Sequence, residues 1–234
     1  MAVAKERKLP PTAPVLGTDV EFAEVSSRGA SWFERNGQAV FVVVIVGILV
    51  ALGIFLYQRL VQEPARVEAA SEMWRAEQLF ERDSFQVALQ GRPGSVTGFL
   101  DIIEDYGSTP SGNLAHYYAG VSYLHLGQYE AAITYLDDFD AEGTLLPAAK
   151  AGALGDAYAQ NGDLATAETY YAEAVDEADD NLVTAPYFIK KLAMLRERNG
   201  DKAGALELYE RIRTEFPTST EAQDISKFIA RASS

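Results

Sequence analysis

Hydrophobic and polar positions follow different rules in successive parts of this chain. Between Ala39 and Tyr57 there is no alternation: AVFVVVIVGILVALGIFLY is nineteen consecutive apolar or glycine residues, and no charged side chain falls between Arg35 and Arg59. A bilayer core of about 30 Å needs roughly 20 residues at about 1.5 Å each, so the run predicts one transmembrane helix, spanning residues 37–60. The core helix of a soluble protein is seldom apolar on every face over about five turns. A cleaved signal peptide has a shorter apolar region and a shorter lead than the 38 residues found here. Trp32 and Phe33 ahead of the run and Tyr57 at its end suit the two membrane–water interfaces. Gly47 and Ala51 form a small-xxx-small pair that lets another helix approach, a spacing common by chance in apolar helices.

Residues 1–36 read differently. Pro10, Pro11 and Pro14 beside Lys5, Arg7 and Lys8 predict a flexible tail. Thr18 with Glu21 fits a capping box opening a short helix, with Phe22 and Val25 on one side. Beyond the apolar run the period is helical but irregular over 61–112. Val67, Ala70, Trp74 and Phe80 extend one helix, Gly91-Arg92-Pro93-Gly94 makes a turn, and Phe99, Leu100, Ile103 and Tyr106 mark a short amphipathic piece.

From Asn113 the pattern repeats. Gly120, Tyr123, Gly127, Ala132 and Leu136 recur 35 residues later as Gly155, Tyr158, Gly162, Ala167 and Tyr171, and 38 residues further as Ala193, Gly200, Ala205 and Tyr209, closing with Phe216-Pro217. Small residues let two helix backbones meet, aromatics fill the gap between hairpins, and the glycines close the turns. The pattern resembles the tetratricopeptide repeat, so the expected fold is all-α: one N-terminal transmembrane helix followed by a helical solenoid. Three repeats over 113–217 would follow a degenerate unit at 61–112, with residues 218–234 as a capping helix begun by a Thr218–Glu221 box. Arg196 replaces the tyrosine expected in the first helix of copy three, and Asp179–Leu182 holds an insertion.

The whole arrangement resembles a second family. A tail ending in Trp32-Phe33-Glu34-Arg35-Asn36-Gly37, one membrane helix and a repeat domain are similar to the ancillary subunit of the bacterial SecYEG translocon, and the strings around Asp83 and Gly112 are similar to its Bacteroidetes-type branch. The resemblance implies a single-pass protein of the bacterial inner membrane, with a cytoplasmic N-terminus and a periplasmic repeat domain that handles exported proteins. The basic residues agree: five precede the run, against Arg59, Arg66 and Arg75 in the twenty residues after it.

Charge narrows the partners. The net charge is −14, and all of the excess lies beyond the apolar run. Residues 101–180 carry sixteen acids and one base, Lys150, whereas 181–234 carry nine bases and seven acids. Such a domain repels phosphate backbones, which argues against nucleic acid, and attracts basic segments unless the acidity is only an adaptation to a saline habitat. There is no cysteine, so neither a disulfide nor a thiolate metal site exists. His116 and His125, nine residues apart on one helix, point to opposite sides and cannot share a metal. The acidic clusters Asp137–Glu142 and Asp176–Asp180 lack the spacing of a calcium loop. No phosphate-binding glycine loop and no activated nucleophile is recognisable, so neither a cofactor nor a small-molecule substrate is expected and an enzyme is disfavoured.

A binding surface remains. The first helices of a tetratricopeptide stack line one face, which would present Leu114, Tyr117, Val121 and Leu124, then Ala149, Gly152, Asp156 and Ala159, then Tyr187, Lys190, Met194 and Glu197. An apolar strip with small residues mid-groove suits an extended hydrophobic segment or a partner helix, unless Trp74, Leu79 and Phe80 cover the strip as core. The functional expectation is an adaptor or chaperone-like subunit beside the translocon. The alternative is a scaffold of another envelope complex.

Overall fold

The computed structural model describes the backbone of residues 18–234 and side chains from Asn36 onward, Val61 excepted. The predicted tail and the side chains of Thr18, Glu21, Trp32 and Phe33 lie outside the described residues. The chain divides into two compact units, Met1–Arg59 and Leu60–Ser234.

In the first unit a single helix, α1 (Thr18–Tyr57), runs for 40 residues. The short helix expected near Thr18 and the apolar run are therefore one element, because nothing between Glu24 and Val40 breaks helical backbone. Phe41 to Tyr57 are exposed around the whole circumference. The mean hydropathy reaches 3.2 in a window of which no part is buried, so the helix is long and apolar enough to cross a membrane. A methyl added at Gly47 would meet nothing, so among the described residues no neighbour occupies the small-residue notch formed with Ala51.

A π-helical turn, Gln58–Gln62, leads into α2 (Glu63–Phe80), where Pro64 sits in the first turn and needs no backbone partner. Two short helices follow, α3 (Phe85–Gln90) and α4 (Phe99–Tyr106), separated by the predicted turn, which one antiparallel bridge between Arg92 and Val96 closes. The predicted amphipathic piece is α4: of its expected positions Phe99 is buried and Leu100, Ile103 and Tyr106 pack partly buried on the same cluster, while Ile102, outside the expected set, is fully buried.

Three helical hairpins then stack: α5 (Pro110–His125) with α6 (Tyr129–Asp138), α7 (Pro147–Asn161) with α8 (Leu164–Ala178), and α9 (Thr184–Arg198) with α10 (Lys202–Glu215). Gly127, Gly162 and Gly200 turn each hairpin at φ of +73°, +92° and +89°, the left-handed backbone that a side chain disfavours. Asp163 and Asp201 then cap the second helices by accepting from the backbone N–H of Thr166 and Gly204.

Inside each hairpin a small residue faces a large one sixteen positions later: Gly120 and Leu136, Gly155 and Tyr171, Ala193 and Tyr209. A methyl at Gly155 would come within 2.6 Å of the Tyr171 ring, and one at Gly120 within 2.6 Å of Leu136 Cγ. One buried cluster runs from Ala151 through Tyr171, Ile189 and Tyr209 to Ile225, so the second and third hairpins share a continuous core. A second cluster joins Met73, Leu89, Phe99 and Ile102 to Ala115 and Ala119, which ties α2, α3 and α4 to α5.

A 3-10 turn (Glu221–Asp224) and α11 (Ile225–Ala232) finish the stack. The Thr218 box is not formed. Ser219, not Thr218, accepts from the N–H of Ala222 at 3.2 Å, because burying Phe216 draws Ser219 inward and leaves Thr218 exposed.

Candidate protein-interaction surface

The repeat register places twelve positions on one face, and the structure sorts them into covered and open. Leu114 packs on the cluster built by α2, α3 and α4, as do Leu79 and Phe80. Phe80 meets Tyr118 edge-on at 5.0 Å, while Trp74 stays exposed. Tyr117 is half-buried between Tyr118 and Phe139, with ring centroids at 5.7 and 5.5 Å. Val121 lies against Leu136 and Leu154, and Leu124 is half-buried. Burial raises the Tyr117 phenol above its ordinary range, and Tyr118, Tyr187 and Asp156 add to the effect.

The middle of the face is not an open floor of small residues. The space over Gly152 is filled by Phe188 of the next hairpin, whose ring would collide with an added methyl. Asp156 accepts from Tyr171 Oη at 2.6 Å and from Lys191 Nζ at 2.5 and 2.6 Å. The Lys191 ammonium also sits 5.0 Å from the Tyr187 ring centre and 5.8 Å from that of Tyr171. Burial lowers the Lys191 pKa, but Asp156 and the Tyr187 hydroxyl together hold it above its ordinary value. Tyr171 is raised by burial and then by Asp156. The ion pair therefore persists through neutral pH.

At the far end Glu197, expected on the open face, is closed off. Arg231 of α11 donates to it from Nε at 2.5 Å and Nη2 at 2.6 Å, and Tyr209 Oη donates at 2.9 Å. Lys190 turns to the ring of Phe228, also on α11. What stays open is Tyr187, 44% exposed, and Met194, 47% exposed. This aromatic and polarisable pair, beside the Asp156–Lys191 bridge, is the exposed part of the first-helix face.

Sequence reasoning misses Lys191 and Tyr171 as members of this surface. Only the 35-residue offset between Asp156 and Lys191 hints that neighbouring first helices meet there. Arg196, which breaks the repeat pattern, donates to Glu168 at 2.8 Å and so links α9 to α8. His125 stacks on Phe85 at 4.3 Å. His116 faces Tyr135, its Nδ1 buried without a partner, and burial lowers its pKa against the opposing pull of Asp138. Among the described residues no three His, Asp or Glu side chains converge on a metal position.

The three stacked hairpins and their small-residue crossings define a tetratricopeptide-repeat solenoid, a fold whose ordinary use is to present a protein-interaction surface. Tetratricopeptide-repeat family models match residues 99–147 and 191–219. The structure is similar to the nearly identical TPR-like repeats described as those of a putative kinesin light chain from Podosopora anserina. The TM-score is 0.57 and the identity 19%, over 72% of this chain and 86% of that one. A single-substitution form of the same repeats gives a TM-score of 0.56 at 19% identity, over 72% and 85%. No curated relative matches the chain.

Proposed function

We propose that this protein is a membrane-anchored adaptor, a chaperone-like subunit that works beside the Sec translocon on exported polypeptides. The observation that carries the reading is the pairing of an apolar helix with no buried face and a repeat domain built for protein contacts. Water cannot solvate the helix cheaply, so a bilayer is its natural surroundings. The five-to-three basic bias across the apolar run favours an N-terminus in the cytoplasm, with the repeats on the periplasmic side. Tyr187 and Met194, the positions of the face that stay open, suit an apolar segment of a client.

Isolation from membranes in mild detergent tests this reading. SecYEG subunits should be recovered in fixed proportion with the protein. Consistent recovery of a different envelope complex would replace the translocon with that assembly and leave a scaffold role.

A further inference from the structure

The open face of the third hairpin carries a charge that the adaptor reading leaves unused. Val183 at the start of α9 and Tyr187, Lys190 and Met194 along it follow at intervals of four, three and four residues, so they share one side of the helix. Val183, Tyr187 and Met194 are 75%, 44% and 47% exposed. Lys190 sits among them, its ammonium 5.0 Å from the centre of the Phe228 ring on α11. Two further cations converge on that ring, Lys227 at 5.4 Å and Arg231 at 4.9 Å. Each of those two already holds a carboxylate: Lys227 donates to Asp224 at 2.7 Å, and Arg231 donates to Glu197. Lys190 donates to no carboxylate among the described residues, and Asp224 acts on it only at longer range. Three cations against two carboxylates leave one positive charge unmatched beside an apolar face.

We propose that Lys190 receives the carboxylate of an acidic side chain, so that the segment bound here carries aspartate or glutamate between apolar residues. The proposal rests on the adaptor reading and names the chemistry of the client segment. A ring face holds an ammonium more weakly than a carboxylate does, so Lys190 gains by exchanging Phe228 for an incoming anion. That anion also relieves the mutual repulsion of Lys190, Lys227 and Arg231 around one ring. The apolar neighbours of the acid would lie on Tyr187 and Met194, one turn to either side of Lys190. Charge excludes the other occupants. A basic segment meets three cations. A wholly apolar one strips water from an unmatched ammonium with nothing in return. Nucleic acid or an anionic bilayer, with many charges, meets the sixteen acids against one base of residues 101–180. A single carboxylate needs only the local surplus of residues 181–234, nine bases against seven acids.

The test uses the full-length chain in zwitterionic detergent micelles, with empty micelles as baseline. Fluorescein-labelled peptides of one apolar sequence, with Glu, Gln or Lys at the centre, are compared by anisotropy. The Glu peptide should bind about tenfold more tightly than the Gln peptide, the preference shrinking as salt rises, and the Lys peptide should bind most weakly. K190Q should bring the Glu peptide down to the Gln level while leaving the Gln peptide bound no more weakly. K190R should keep the preference, and K190E should transfer it to the Lys peptide. M194S should weaken the Glu and Gln peptides alike, by about threefold. R211Q, at a cation of α10 paired with Glu215, should change nothing. Melts by circular dichroism should match wild type for K190R, which keeps the charge, and for K190Q. Equal binding of the Glu and Gln peptides, or a preference that survives K190Q, would overturn the carboxylate proposal and leave the adaptor reading standing. Binding of no peptide would overturn both the proposal and the open face as a polypeptide site.

Discussion

Individual residues carry the stack through contacts that differ in how far they reach along the chain. Gly155 was legible in the sequence because its partner, Tyr171, lies in the same repeat and the register fixes both. Gly152 was not, because Phe188 reaches it from the next hairpin and no local pattern records that approach. Gly155→Leu should lower stability by about 1–3 kcal/mol through overpacking, measured as a fall in melting temperature. A melting temperature equal to wild type would mean that the hairpin crossing is not at Gly155. The Glu197 carboxyl gives a pH-dependent counterpart. Arg231 holds it below the ordinary carboxylate range, with Tyr209 assisting. A group depressed on folding stabilises above its unfolded pKa and loses that contribution as pH falls through its folded pKa. The melting-temperature gap between wild type and E197Q should therefore be widest near neutrality and close in strongly acidic buffer. A gap that widens on acidification would contradict the Arg231 assignment.

At the scale of elements, hairpins were the most readable part. Their glycine turns, small residues and aromatics recur within one copy, so their pairing needs no information from elsewhere. The ends were less readable. The last helix begins after a 3-10 turn capped by Ser219, a geometry imposed by burial of Phe216 and invisible to a capping-box pattern at Thr218. The first helix of the chain continues through a stretch that polar residues made look separate. In the structure α11 covers Tyr209 and brings Arg231 to Glu197. Removing residues 225–234 should expose Tyr209 and Ile212, lower the melting temperature and promote association by size-exclusion chromatography. A truncated protein that melts and elutes like the full chain would show that α11 is dispensable as a cap.

For the whole molecule, the sequence showed a membrane-type helix and a repeat domain but only part of the surface. It left open whether the first helices form an open strip or are covered as core, because a single repeat cannot show what its neighbours cover. The structure leaves Tyr187 and Met194 open, with Asp156 and Glu197 occupied by Lys191 and Arg231. The proposed disposition across the membrane is open to protease. Added to intact spheroplasts, it should digest the repeat domain and spare the tail; digestion of the tail alone would reverse the orientation. The central claim is that this open pair receives polypeptide beside the translocon. Its most direct measurement is photo-crosslinking in growing cells from a benzoyl-phenylalanine placed at Tyr187, compared with one at Asn199 in the exposed hairpin turn. The account predicts adducts at position 187 with exported polypeptides or SecYEG subunits, lost when export is blocked, and none at 199. Adducts of equal pattern at both positions, or none at 187 while export proceeds, would contradict it.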